Sequence, residues 1–112
     1  MRGKRRVSLA AAAQTDLDTI AAWTTKNFGP SQAENHIEAI LDTIDELTAP
    51  KSPSRSLARD EIAKGMRTLH MRRRGRRGRH FLLYSETAND VKIQRVLHDS
   101  MELSRPVTGE GV

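Results

Sequence analysis

The sequence predicts an α+β domain in the order β-α-α-β-β-β, with a helical hairpin packed on one face of a small, largely antiparallel sheet. Three observations predict it. Two helical segments are joined by only two or three residues, which forces them to lie antiparallel. Three consecutive strand-like runs separated by turn residues fill positions 66–97. The chain has 112 residues, no internal repeat and no linker, the size of one domain.

Residues 1–6 carry four positive charges and no negative one, and read as a basic arm. Val7-Ser8-Leu9-Ala10 alternates apolar with small or polar residues, an edge-strand pattern. Over positions 11–28, Leu17, Ile20, Ala21, Thr24 and Phe28 follow the spacing of one helix face. Asp16 and Asp18 lie near its start, where negative charge suits the helix dipole. Gly29 supplies the left-handed residue that ends it. Pro30 and Ser31 open the second helix, with Ser31 and Glu34 at capping-box spacing. Ala33, Ile37, Ile40, Leu41, Ile44 and Leu47 form its apolar stripe. Glu34, Glu38, Asp42, Asp45 and Glu46 lie off the stripe, and Pro50 stops the helix. His36 also falls off the stripe and reads as a surface residue.

Residues 51–64 read as a loop, kept extended by Pro50 and Pro53, with a single turn at Asp60-Glu61-Ile62. A loop this long in a compact domain signals function or mobility. After Gly65, the run 66–73 alternates, with Leu69 and Met71 on one face and His70 and Arg72 on the other. Residues 74–78 form a Gly-containing turn into a strand at 79–85. Phe81-Leu82-Leu83-Tyr84 is apolar on both parities, which predicts a central strand covered on both faces. Asn89-Asp90 closes the next turn. Val91, Ile93, Arg95 and Leu97 then share one face, with Val96 on the other. Asp99 is expected to cap a short turn. The domain spans 7–104, and residues 105–112 form a polar tail without pattern.

Lys and Arg outnumber Asp and Glu by 19 to 14, giving a net charge of +5. The excess is local, with six arginines in the eight residues 72–79. Such clustering predicts an acidic partner, nucleic acid or an acidic protein segment. With no cysteine, disulfides and thiolate metal sites are excluded, which fits a reducing cytoplasm. No apolar run approaches the roughly 20 residues that span a bilayer, and the N-terminus lacks a secretory apolar core.

Phosphate-loop, dinucleotide and helical zinc motifs are absent from the sequence. Scattered histidines do not make a metal site, and no cofactor is implied. The basic surface with His70, His80, Tyr84 and His98 among the strands holds the parts of a metal-free ribonuclease. That chemistry needs a base for the 2′-hydroxyl, an acid for the leaving 5′-oxygen, and cations for the charged transition state. His70, His98 or Tyr84 supplies the first two, and Arg72, Arg73, Arg79 or Arg95 the last. Each has a plainer reading. Tyr84 sits in an apolar strand and reads as core. His98 ends a strand and reads as a cap. Arg67 and Arg95 read as partners of the acidic helix faces.

Five strings, in order and at matching spacing, resemble the RelE/ParE superfamily of bacterial type II toxins, on its ParE side. They are Asp16-Leu17 with Ile20; Phe28-Gly29-Pro30-x-Gln32-Ala33-Glu34; Gly65-Met66-Arg67; Arg79-His80-Phe81-Leu82-Leu83-Tyr84; and Arg95-Val96-Leu97-His98-Asp99-x-Met101-Glu102-Leu103. The resemblance covers about residues 7–104. It implies a bacterial, cytoplasmic toxin, neutralised by a cognate acidic ParD-like antitoxin that also carries the DNA contact. The two form a hetero-oligomer. DNA gyrase is the target the resemblance implies, with no chemistry by the toxin itself. Antitoxin or target contacts then fall to Arg67, Arg72, Arg73, Arg74, Arg76, Arg77, Arg79 and Arg95. The alternative is a RelE-like ribosome-dependent messenger endoribonuclease, with His98, Tyr84, Arg79, Arg95 and His70 as its candidates. This chain departs from that pattern: no tyrosine follows the last strand, and Lys51 and Lys64 stand isolated. A third reading is a nucleic-acid-binding module whose basic hairpin enters a groove or tracks phosphates, with the scarcity of exposed aromatics arguing against single-strand stacking.

Overall fold

The structure, a computed structural model, describes residues 4–73 and 76–98. Its elements are β1 (Arg6–Leu9), α1 (Ala11–Phe28), α2 (Pro30–Glu46), β2 (Leu57–Ala58), β3 (Met66–Arg73), β4 (Arg76–Glu86) and β5 (Asp90–His98). The expected order is present, with one addition: the 51–64 loop contributes the two-residue β2, paired antiparallel with Thr68 and Arg67 of β3. The sheet runs β1-β5-β4-β3-β2. β1 lies parallel to β5, and every other pair is antiparallel.

The helix junction is tighter than the sequence suggested. Gly29 alone separates the helices, at φ 92°, where a side chain would be strained. Its N–H donates to Thr25 O at 2.9 Å, and its carbonyl accepts from Ala33 N at 3.1 Å. Helix α2 therefore begins at Pro30, whose fixed φ suits the first helical turn. That puts Ser31 inside the helix, so the expected capping box with Glu34 does not form and no side chain caps this end. The helix stops at Glu46, before Pro50.

Strand β4 is central and covered on both faces, as the parity of residues 81–84 predicts. Leu82 and Tyr84 join Leu69, Met71, Val91, Ile93 and Val96 in the core beneath Ala13, Leu17, Ile40, Ile44 and Leu47. Phe81, Leu83 and Leu97 form a second cluster on the opposite face, with Ile62 and Met66 against it. Burying one such aliphatic side chain contributes about 1.5–3 kcal/mol.

The expected face of β5 is corrected by a bulge. Leu83 pairs with Arg95 but Tyr84 pairs with Ile93, so Gln94 is an extra residue. Alternation restarts after it. Val91, Ile93 and Val96 therefore face the helices, and Leu97 faces away. Leu41 and Phe28, expected on buried stripes, are exposed. The expected cap at Asp99 and the tail 105–112 lie outside the described residues.

Candidate functional site

Four places stand out, three where charge and hydrogen-bonding groups gather and one open groove. The first ties the long loop to the sheet. Arg5, expected in the basic arm, is only 4% exposed. Its backbone N–H donates to Thr48 O at 2.7 Å, its Nε to Ala49 O at 2.8 Å and its Nη1 to Glu86 Oε1 at 2.6 Å. From the other side, Arg67 Nε donates to Ser56 Oγ at 2.9 Å. Ser56 and the fully buried Tyr84 hydroxyl share a hydrogen bond. Tyr84 donates to Ser52 Oγ at 2.8 Å, and Ser52 donates to Glu86 Oε1 at 2.6 Å. Tyr84 has a single proton, so Ser56 must be the donor to it. The relay then runs one way, from guanidinium through three hydroxyls to carboxylate, and each bond polarises the next. Burial pushes the Glu86 carboxyl up, but hydrogen bonds from Arg5 and Ser52, with the charges of Arg5 and Arg67, hold it below its ordinary value. The loop is thus fastened rather than loose.

The second place is the seam between α1 and β5. Arg95 Nε and Nη2 donate to Asp16 Oδ2 and Oδ1 at 2.7 and 2.9 Å. Asp16 also accepts from Val96 N at 2.9 Å. Asp16 therefore serves the sheet rather than the first turn of its own helix. The Asp16 hydrogen bonds raise the Arg95 pKa against the opposing effect of burial.

The third place is a row of histidines where α2 crosses β4 and β5. His36 Nε2 lies 3.1 Å from His80 Nδ1, so one ring donates and the other accepts. His80 stands opposite His98 in register, their ring centroids 5.0 Å apart. His36 is thus half-buried against a neighbour, not the free surface residue its position off the stripe suggested. His70 lies on the other face, its ring 4.9 Å from Phe81. Among the described residues no group of three or more His, Asp or Glu is arranged to hold a metal ion.

The fourth place is a groove of about 510 Å³ on the outer side of the helical hairpin. It is lined by Ala21 and Thr25 of α1 and by Pro30, Ala33, Glu34, Ile37, Glu38 and Leu41 of α2.

The structure separates the residues that the sequence grouped. Arg67 and Arg95 are held inside the fold by the bonds above. Arg79 is exposed on β4. The backbone register places Arg72 opposite Arg77 and Arg73 opposite Arg76. Arg74 lies outside the described residues. Tyr84 and His70 are not brought together with His98, since each has its own separate neighbours.

A family model described as ParE toxin of type II toxin–antitoxin system, parDE, matches residues 7–103. This chain belongs to the ParE toxin family. A ParE toxin of such a system implies an antitoxin partner. No curated protein matches the sequence. Among solved structures, the ParE chain is similar to a chain described as the chromosomal ParDE TA system from P. aeruginosa. The two are 19% identical with a TM-score of 0.67, and the match covers 85% of this chain and 96% of that one. At that identity the likeness concerns the fold, two helices on a five-stranded, mostly antiparallel sheet. Among the described residues of this ParE toxin, no helix is long and apolar enough to cross a membrane.

Sequence reading missed Arg5, Ser52, Ser56 and Glu86 as a fastening set around Tyr84. The available signal was a strand tyrosine together with a serine-rich loop, since a buried phenol needs a partner and two serines lie within reach of one.

Proposed function

We propose that this ParE toxin inhibits bacterial growth by binding DNA gyrase, and that a cognate acidic ParD-like antitoxin neutralises it in the cytoplasm. The observation that carries the antitoxin half is the hairpin register, which sets Arg72 against Arg77 and Arg73 against Arg76. Like charges directly opposite each other destabilise a strand pair. A segment rich in Asp and Glu relieves that repulsion, and its charge-assisted hydrogen bonds to the arginines offset the entropy it loses on ordering. Arg72, Arg73, Arg74, Arg76, Arg77 and Arg79 are the proposed contacts, in a toxin unit spanning 7–104 with a basic arm before it and a tail after. DNA contact falls to the antitoxin in the resulting hetero-oligomer.

Family membership supports gyrase as the target. The buried hydroxyl of Tyr84, engaged on both sides by serines, speaks against its use on an RNA substrate. The test is a supercoiling assay beside a ribosome-bound messenger cleavage assay with the same purified toxin. The expected result is inhibited supercoiling, relieved by antitoxin, with the messenger left intact. Cleaved messenger with normal supercoiling would replace this reading with the endoribonuclease.

A further inference from the structure

We propose that the groove between α1 and α2 is the docking site for a basic, apolar helical segment of the toxin's target, and that the acidic antitoxin leaves it free. The word "target" rests on the reading above; the chemistry of the groove does not.

The floor is apolar, built from Ala21, Ala33, Ile37 and Leu41. Leu41 is 49% exposed although it lies on the stripe that buries Ile40 and Ile44. Outside the groove lining, Phe28 is 63% exposed near the Gly29 end of the hairpin, with Trp23, 58% exposed, set edge-on to it at 5.7 Å. Single exposed apolar residues are ordinary, but a continuous apolar strip with a polar rim marks an interaction site. Positions 30–41 span roughly 17 Å of helix, room for about three turns of a partner helix.

Charge selects the occupant. Helix α2 carries Glu34, Glu38, Asp42, Asp45 and Glu46 and no Lys or Arg. Glu34 and Glu38 line the groove itself, and Asp42 continues the same i, i+4 rib. An acidic antitoxin laid here would set carboxylate against carboxylate, a juxtaposition that costs affinity. It has the arginine-rich hairpin instead. A segment with aliphatic anchors and flanking Lys or Arg satisfies both the floor and the rim. This is the helix-in-groove mode of recognition.

The probes are two synthetic, fluorophore-labelled amphipathic peptides of about 14 residues, identical in their leucine positions, one filled with lysine and the other with glutamate. By fluorescence anisotropy the lysine peptide is expected to bind about tenfold more tightly than the glutamate peptide. Glu34→Lys with Glu38→Lys inverts that order, and Glu34→Gln with Glu38→Gln narrows it without disturbing the fold. Leu41→Asp removes binding of the lysine peptide and gyrase inhibition but keeps antitoxin binding.

Equal or stronger binding of the glutamate peptide to the unaltered chain overturns the proposal. So does antitoxin that displaces the lysine peptide from the groove and whose own binding is lost in Leu41→Asp. Selective peptide binding with gyrase inhibition intact in Leu41→Asp overturns the assignment to the target. A chain that never inhibits gyrase sinks the earlier reading instead, and the peptide order still decides what the groove recognises.

Discussion

Asp16 and Arg95 lie 79 positions apart and form a two-pronged ion pair at 2.7 and 2.9 Å. Their side chains are 14% and 30% exposed, and Asp16 also takes the Val96 N–H. The pair joins α1 to the bulged segment of β5, where the extra residue interrupts the regular ladder. Asp16→Ala strands a guanidinium and a backbone N–H together, and is expected to cost about 2–3 kcal/mol. Arg95→Met leaves Asp16 its bond to Val96 and keeps the aliphatic stem, so it costs less. Urea denaturation checks this: the midpoint falls further for Asp16→Ala than for Arg95→Met, with the slope unchanged in both.

Tyr84→Phe separates structure from chemistry. The ring stays in the core, and the loss is one hydroxyl with its bonds to Ser52 and Ser56. That interrupts the relay between Arg67 and Glu86 and is expected to destabilise the fold by about 1–2 kcal/mol. Growth inhibition per folded molecule should not change. A loss of toxicity well beyond the loss of folded protein would restore Tyr84 as a reacting group.

Glu86 sets an acid limit on stability. Its folded pKa lies below the ordinary carboxylate value of 4.5, so it stays ionised in the fold where the unfolded chain has begun to take up its proton. Stability from Glu86 is therefore complete above the unfolded value and is lost as the pH falls below it, through the folded one. Measured between about pH 3 and 6, unfolding free energy should decline on acidification in the native chain, and the decline should be shallower in Glu86→Gln.

Where the fold was legible, the pattern was local. Residues 81–84 could be read as a central strand because both parities are apolar, and the structure covers both faces with separate clusters. The α2 stripe was legible for the same reason, except at Leu41, whose exposure depends on what the hairpin lacks as a neighbour. The β5 bulge left a fainter mark. Gln94-Arg95 interrupts the alternation, and Ile93 and Val96 sit three apart, which a strict period of two assigns to opposite faces. Arg5 was not legible. Nothing local distinguishes it from its exposed neighbours Lys4 and Arg6, and its carboxylate partner lies 81 positions away. Arg95 read as a partner of the acidic helix faces, and it does pair with α1, but through Asp16, whose place near a helix start offered a sufficient local explanation of its own.

Two groups of arginines should now respond differently to mutation. Arg67 and Arg95 are engaged inside the fold, so Arg67→Ala and Arg95→Ala act first on stability. The hairpin arginines face one another across strands in the backbone register, so relief of their mutual repulsion favours their replacement as far as the free toxin is concerned. Arg72→Glu with Arg73→Glu sets a carboxylate opposite Arg77 and another opposite Arg76, and should leave the unfolding midpoint unchanged or raise it. The same pair should slow antitoxin association by about 10-fold or more, as expected when charges that steer an encounter are reversed. Association rates measured across a salt series check the mechanism. The native chain's rate should fall steeply as salt rises, while the reversed variant's rate should be nearly flat. A native rate that ignores salt would mean that the hairpin charge does not guide the antitoxin, and the stability difference between the two arginine groups would stand alone.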